Sequence, residues 1–304
     1  MQTAYQTMSD GASLAVYTWL PEQQPKAVLH IVHGMAEHAL RYDDFAKTAC
    51  KRGFAVVASD HRGHGKTGAK SGLMGYLADG DGFSRVVEDQ KEINAEIQNR
   101  YSALPVVIVG HSFGSFVTQE YIERYGTTVK AAVLIGSAGP NPSVAVASLL
   151  ANLNCALKGR KSVAKFMNTL VFGSYNKRIK HPHTAFDWLS RDESEVKKYI
   201  DDEYCGFVCT AGFFQDFIRG LKRLHTQATL KGIPTGLPVL ITAGSKDPVS
   251  NYGKTLKNLY HIYQTIGIQD VTLKLYEDGR HEVLNETNKE AVKADILGWI
   301  EQRL

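Results

Sequence analysis

Short runs of Val, Ile, Leu and Ala recur along the chain, with longer amphipathic stretches between them. The runs are AVLHIVHG from Ala27, FAVVASD from Phe54, PVVIVGHS from Pro105, AAVLIGS from Ala131, PVLITAGS from Pro238 and VTLKLY from Val271. A run that is apolar at both alternating sets of positions is buried on both faces, as a parallel strand lying under helices is. RYDDFAKTACKRG, GFSRVVEDQKEINAEIQNRY and SFGSFVTQEYIERYG, with the closing stretch from Glu286 to Arg303, read as helices between them. Strand and helix therefore alternate, which predicts an α/β fold with a mostly parallel central sheet flanked by helices. β-type residues around the turn Ser9-Asp10-Gly11, over roughly Thr3 to Leu20, add an antiparallel hairpin at one edge.

The alternation lapses over residues 140–224, where helical patterns follow one another with no buried-strand signal. We read this segment as a helical cap inserted into a core formed by residues 1–139 and 225–304. Pro140, Asn141 and Pro142 mark its entrance, and the Gly- and Pro-rich Lys231 to Pro238 marks the return to the sheet. Within the cap, Val144 to Leu157 is apolar except for Ser148, Asn152 and Asn154, and Val146, Leu150, Leu153 and Leu157 form a stripe at helical spacing. Two readings of the stripe stand together: an acyl-chain wall or lipid-facing lid, with Lys158, Arg160 and Lys161 meeting anionic headgroups in transient membrane contact, or a cap helix packed on its neighbours.

Composition narrows the function classes. A chain of 304 residues with 43% hydrophobic content can fill a core, and 35 basic against 31 acidic residues leave a net charge of only +4. Those charges are interspersed, without the basic face of a nucleic-acid binder, so nucleic acid is excluded as a partner. Four cysteines show neither a Cys-x-x-Cys pair nor the density of a disulfide scaffold, which fits reduced thiols. No basic-then-apolar leader opens the sequence and no apolar run reaches the ~18 residues of a membrane span, so the expected location is the cytoplasm.

Gly110-His111-Ser112-Phe113-Gly114 matches the nucleophile elbow Gly-x-Ser-x-Gly, at the point where strand PVVIV ends and a helix begins. Glycines two before and two after Ser112 allow the strained turn that exposes the hydroxyl. A serine needs a base, and the base an orienting carboxylate, which in this architecture follow in the order Ser, acid, His. Asp247, in GSKDPVS after the strand PVLITAG, and His281, in EDGRHEVLNE after VTLKLY, stand at strand C-terminal ends where functional loops gather. Asp278 is the alternative acid, although its loop position suits a turn former. The oxyanion donors expected are the backbone amides of Phe113, following the nucleophile, and of Met35, in the loop after LHIVHG.

HGMAEHALRY, SDHRGHGKTG, GHSFGS, GSKDPVS and YEDGRHEVLNE, in this order and spacing, resemble the monoacylglycerol lipase and lysophospholipase-like branch of the α/β-hydrolase fold. The resemblance covers roughly residues 10–137 and 225–304 and thins out in the cap. It implies a cofactor-free serine esterase for single-chain acyl esters, a small-molecule or lipid substrate, with Ser112 as nucleophile, His281 as base, Asp247 as orienter, and Met35 and Phe113 as oxyanion donors. Phe113 stands where such proteins usually have Met, and Ser115 where they often have Gly. An aminopeptidase or amidase on the same triad is the alternative enzyme, and a hydrolase fold that only binds ligands is the alternative outside catalysis.

Other signals carry less. Gly63-His64-Gly65-Lys66-Thr67-Gly68 resembles a phosphate loop, but Asp60 occupies the place of its first glycine and GAKSGLMGYLADGDG reads as a glycine-rich loop rather than a helix, which excludes a nucleotide. His61 and His64 beside Asp60, and His181 and His183 with Asp187, lack metal-ligand spacing, so no metal is expected. The cap acids Asp192, Glu193, Glu195, Asp201, Asp202 and Glu203 read as a solvated face, although an aminopeptidase would use such groups to hold an amine. Trp188, Phe213, Phe214 and Phe217 are expected to pack in the core.

Overall fold

In a computed structural model that describes residues 1–304, the apolar runs form one eight-stranded sheet in the order β1-β2-β4-β3-β5-β6-β7-β8. The strands are β1 (Gln2–Thr7), β2 (Ser13–Trp19), β3 (Ala27–Val32), β4 (Phe54–Ser59), β5 (Val106–His111), β6 (Ala131–Ile135), β7 (Val239–Gly244) and β8 (Val271–Tyr276). β1 and β2 form the expected antiparallel hairpin, β2 joins β4 antiparallel, and every other pair is parallel. Helices follow as α1 (Asp43–Lys51), α2 (Gly65–Ser71), α3 (Gly82–Arg100), α4 (Phe113–Tyr125), α5 (Val144–Lys158), α6 (Lys165–Phe172), α7 (Glu193–Asp201), α8 (Ala211–Arg223), α9 (Gln227–Leu230), α10 (Lys254–Thr265) and α11 (Lys289–Glu301). None is long and apolar enough to cross a membrane.

Strand alternation divides the core between the two faces of the sheet. Val106 and Ile108 of β5 join Phe83 of α3, Val117 of α4 and Tyr263 of α10 on one face. Val107 and Val109 join Phe45 of α1 and Ile296 of α11 on the other. β3 to β7 are buried at every position, which is why their sequences lack alternation.

Two expectations need correction. β8 is an edge strand in which only Tyr276 is buried; Lys274 faces solvent and pairs with Asp295, so the run VTLKLY is not covered on both faces. Residues 65–71 form α2 rather than a loop. The Asp60 carboxylate accepts the Lys66 N–H at 2.8 Å, supplying a partner for a first-turn amide, and Gly72 closes the helix at φ +72°.

Buried histidines lie beneath the β3 and β4 ends. His30 hydrogen-bonds Gln90 Oε1 at 3.0 Å, and His33, His61 and His64 pack ring against ring. Burial holds His30 and His64 down to about 4 and His61 down to about 3, and pushes His33 well below the ordinary imidazole value. A histidine depressed in the folded state binds its proton first in the unfolded chain, so its stabilisation is complete above pH ~6.5 and is lost as pH falls toward the folded value. Glu123, raised to about 7 chiefly by burial, acts in the opposite sense, as do the Asp60, Asp89 and Asp216 carboxyls that burial raises, but the depressed imidazoles, His225 among them, are more numerous. The melting temperature is therefore expected to fall steadily between pH 6.5 and 4; a flat profile across that window would refute it.

Candidate active site

Ser112 sits between β5 and α4 at φ 52°, ψ −120°, a strained conformation for a residue with a Cβ, costing about 1–3 kcal/mol. The surrounding bonds hold it there. Its N–H donates to the Ile135 carbonyl at 2.9 Å, and its own carbonyl accepts the Ser115 N–H at 2.8 Å and the Ser115 hydroxyl at 2.6 Å. Ser115 thus ties down the turn. At Gly114 a Cβ would lie 2.1 Å from the Val32 carbonyl oxygen, so only glycine lets α4 approach β3.

Asp247 and His281 meet from the loops after β7 and β8. His281 Nδ1 lies 3.0 Å from Asp247 Oδ1, which also accepts the Val249 N–H at 2.9 Å. Both side chains are buried, and His281 Nε2 makes no hydrogen bond. Ser112 and His281 line one cavity of about 290 Å³, though no hydrogen bond joins them in this structure. Gly136, after β6, leaves the space for the imidazole: a Cβ there would sit 2.9 Å from His281 Cε1. The Trp188 ring packs 5.1 Å from the imidazole, and the Trp188 carbonyl accepts the His281 N–H at 3.3 Å. Asp278 lies apart, an exposed turn residue at φ +55° with Lys246 3.8 Å away.

A buried charge network, not anticipated from the sequence, underlies both loops. Glu37 Oε1 accepts the Gly34 N–H at 2.5 Å and the Tyr42 hydroxyl at 2.8 Å, and lies 3.2 Å from His111 Nδ1. Arg41 donates to Glu37 Oε2 at 2.8 Å and, through both terminal nitrogens, to the Glu282 carboxylate at 2.5 and 2.8 Å. One guanidinium thereby joins the loop carrying Met35 to the loop carrying His281. Burial alone would raise the Glu37 carboxyl, but His111 and Arg41 outweigh it and hold it well below its ordinary value. For His111 burial pulls downward while the Glu37 bond and charge leave the imidazole raised. Breaking such a buried pair from one side costs about 3–5 kcal/mol, because the other charge stays buried without a partner. The signal available in the sequence was Glu37 within HGMAEH and Glu282 directly after His281.

Met35 and Ser112 also line a second cavity of about 500 Å³, joined there by Phe113 and a largely apolar wall. The Met35 and Phe113 amides donate to no group of the chain. The cap stripe divides. Val146 and Leu150 line this second cavity, whereas Leu153 and Leu157 point away from it, 54% and 72% exposed. The reason is the packing of α5: its small residues Ala151 and Cys155 are buried and the helix lies on α8, which turns the residues at 153 and 157 outward. Trp188 lines the first cavity and Phe217 the second, while Phe213 and Phe214 are wholly in the core.

The cap acids stand outside both cavities. Asp192 caps α7, Glu195 pairs with Lys198 and Lys289, Asp201 with Lys197 and Asp202 with His38. The His-Asp groups flagged in the sequence are occupied otherwise: Asp60 binds Tyr17 and two amides, and Asp187 binds the amides of His183 and Thr184. A different trio, His38, Asp202 and Cys205, brings its potential ligand atoms within 4.8 Å, but His38 already bonds Asp202 and burial keeps the Cys205 thiol strongly raised.

Residues 23–288 match the family described as serine aminopeptidase, S33. The chain belongs to this family. A monoacylglycerol lipase of Mycolicibacterium smegmatis is 30% identical to this S33 member over 297 residues, 97% of this chain and 95% of that one. The monoglyceride lipase of Mus musculus is 29% identical, over 97% and 89% of the two chains. Among solved structures, a highly thermostable carboxyl esterase from Bacillus coagulans superposes with a TM-score of 0.92 at 26% identity, covering 99% and 98%. The fold is thus that of α/β-hydrolase lipases and esterases, and the S33 member is an ester-hydrolysing enzyme.

Proposed function

We propose that this protein cleaves single-chain acyl esters of the monoacylglycerol type through an acyl-enzyme on Ser112, with residues 140–224 acting as a cap over the core. The observation that carries the reading is the buried, unpaired Nε2 of His281, on a ring whose Nδ1 is held by Asp247, in the wall of the cavity that Ser112 shares. His281 takes the hydroxyl proton as Ser112 Oγ attacks the ester carbonyl, and the Met35 and Phe113 amides donate to the oxyanion. His281 then protonates the departing alcohol, and water repeats the cycle on the acyl-enzyme. Asp247 keeps the proton of neutral His281 on Nδ1 and stabilises the imidazolium.

The two cavities divide the substrate. The second, apolar one takes the acyl chain. The first, lined by Asn168, Thr169 and Asn176 beside His281, takes the alcohol. No Lys or Arg lines it, and its two carboxylates are both engaged by Arg41, so it offers no cation to a phosphate headgroup and no free anion to an amine. This favours a neutral glycerol ester over a lysophospholipid or an aminoacyl amide. A hydrolysis panel of monoacylglycerols, lysophospholipids, short aryl esters and aminoacyl amides on one preparation tests it, with monoacylglycerols expected fastest. Preference for the amides would favour a peptidase, and no turnover a binding protein.

Chain length gives a finer test. Each buried methylene contributes about 0.8 kcal/mol, so four further carbons that fit the cavity are expected to raise kcat/KM on the order of a hundredfold. Leu150→Asp should flatten that profile while sparing acetyl esters; equal loss on both would make Leu150 a packing residue only. The outward Leu153 and Leu157, with exposed Val146, Leu149, Phe166 and Leu170 and with Lys158, Lys161 and Lys165, suit transient contact with a membrane surface. Leu153→Asp should accordingly weaken sedimentation with anionic vesicles without altering the profile on dissolved esters.

A further inference from the structure

One polar group in the wall of the apolar cavity has no part in the chemistry proposed above. His225 lines that cavity from a left-handed backbone, φ +66°. Its N–H donates to Glu123 Oε1 at 3.2 Å, and its ring Nε2 lies 2.5 Å from Gln119 Oε1. Gln119 is wholly buried on α4, and its amide nitrogen donates to Ser137 Oγ at 2.8 Å and to the Ala138 carbonyl at 3.2 Å. A carbonyl only accepts, so this bond fixes which end of the amide is nitrogen and leaves the oxygen facing His225. The same oxygen accepts the Tyr263 hydroxyl at 3.5 Å.

The tautomer of His225 follows. Nε2 carries the proton, and Nδ1 is a bare lone pair with no donor from the chain. Burial pushes this imidazole down to about 4, so it is neutral at neutral pH and its Nδ1 accepts but cannot donate. A buried polar network is costly unless its members are satisfied. Here Gln119, Ser137 and Tyr263 are buried and bond one another or their neighbours, whereas His225 is half-buried and lines the cavity, so its unpaired Nδ1 is left reachable by water or by a bound ligand.

We propose that the apolar cavity accepts acyl chains bearing a hydroxyl group well removed from the ester, and that His225 Nδ1 accepts the hydrogen bond from that hydroxyl. The proposal rests on the reading of this cavity as the acyl site. Gln119, which holds the ring, lies two turns of α4 beyond Ser112, about 10 Å along the helix axis, which puts the hydroxyl at mid-chain or beyond. The site discriminates by hydrogen-bond direction: a hydroxyl donates to Nδ1, whereas a keto oxygen at the same carbon sets one lone pair against another.

The test compares glycerol monolaurate, its analogues hydroxylated at successive carbons from the middle of the chain to its end, and the matched keto analogues. At one or two adjacent positions the hydroxylated ester is expected to exceed its keto partner in kcat/KM on the order of tenfold. His225→Phe, which keeps a ring but removes the acceptor, should bring that ratio close to one, and a ratio taken on one preparation does not depend on how much of the variant is folded. The wild-type comparison needs no variant. Equal rates for hydroxyl and keto esters at every position, with glycerol monolaurate still turned over, would overturn the proposal alone. Turnover of none of the esters would overturn the acyl-ester reading and this proposal with it.

Discussion

Ser112→Ala is expected to abolish covalent labelling by a fluorophosphonate and to lower ester kcat on the order of a millionfold, the scale seen when a nucleophile is removed from a triad that works as a unit. The fold should survive. The Ser112 hydroxyl makes no hydrogen bond in the structure, so its loss leaves no partner unsatisfied, and the backbone bonds to Ile135 and Ser115 that hold the strained turn are unaffected. An unchanged melting temperature beside lost labelling would separate the chemistry from stability. Residual hydrolysis above the rate in water is compatible with the assignment, because the Met35 and Phe113 amides and the binding cavities remain. Labelling of the folded variant at another serine, with ester hydrolysis retained, would be decisive against Ser112.

The parts of this molecule that were legible in its sequence are those written locally. β3 to β7 announce themselves because each is buried on both faces and so forms a continuous apolar run. VTLKLY has nearly the same appearance, yet β8 is an edge: what covers a strand depends on its neighbours, which its own residues do not specify. Ser112, Asp247 and His281 stand out in the sequence as candidates because each follows a readable strand and occupies the loop that such a sheet gathers at one end. Arg41 is not legible in the sequence for the opposite reason. Its partner Glu282 is remote in sequence, and a pair of that kind becomes visible only when the loops after β3 and β8 are brought together. The cap stripe failed in part because helical spacing defines a face but not what the face meets. The position of α8 against Ala151 and Cys155 decides that Leu150 looks inward and Leu153 outward. Gln119 and His225 likewise look unremarkable until the amide is seen clamped between Ser137 and the imidazole.

Asp247→Asn is expected to cut kcat on the order of ten-thousandfold with a much smaller change in KM, because the interaction lost is one that grows as His281 becomes charged in the transition state. Asp247 Oδ1 already receives the Val249 N–H, and only the remaining capacity of the carboxylate holds His281 Nδ1. An amide has one oxygen and one nitrogen to offer. If the oxygen keeps Val249, it can still face Nδ1, but without the charge that stabilises the imidazolium; if the nitrogen turns toward the ring, it forces the proton onto Nε2 and removes the base that faces Ser112. Either way the chemistry suffers while the packing is conserved. Asp247 Oδ2 is buried with no partner, and Asn leaves an amide atom at that position equally without one, so the substitution trades one unsatisfied buried group for another of the same shape and should change the melting temperature little. Fluorophosphonate labelling of Ser112 should slow in parallel with kcat, since it needs the same activated hydroxyl. Asp278→Asn provides the control: the residue is exposed, and Asn tolerates its left-handed turn, so activity should be unchanged. Damage from Asp278→Asn with Asp247→Asn harmless would show that the orienting acid had been misassigned.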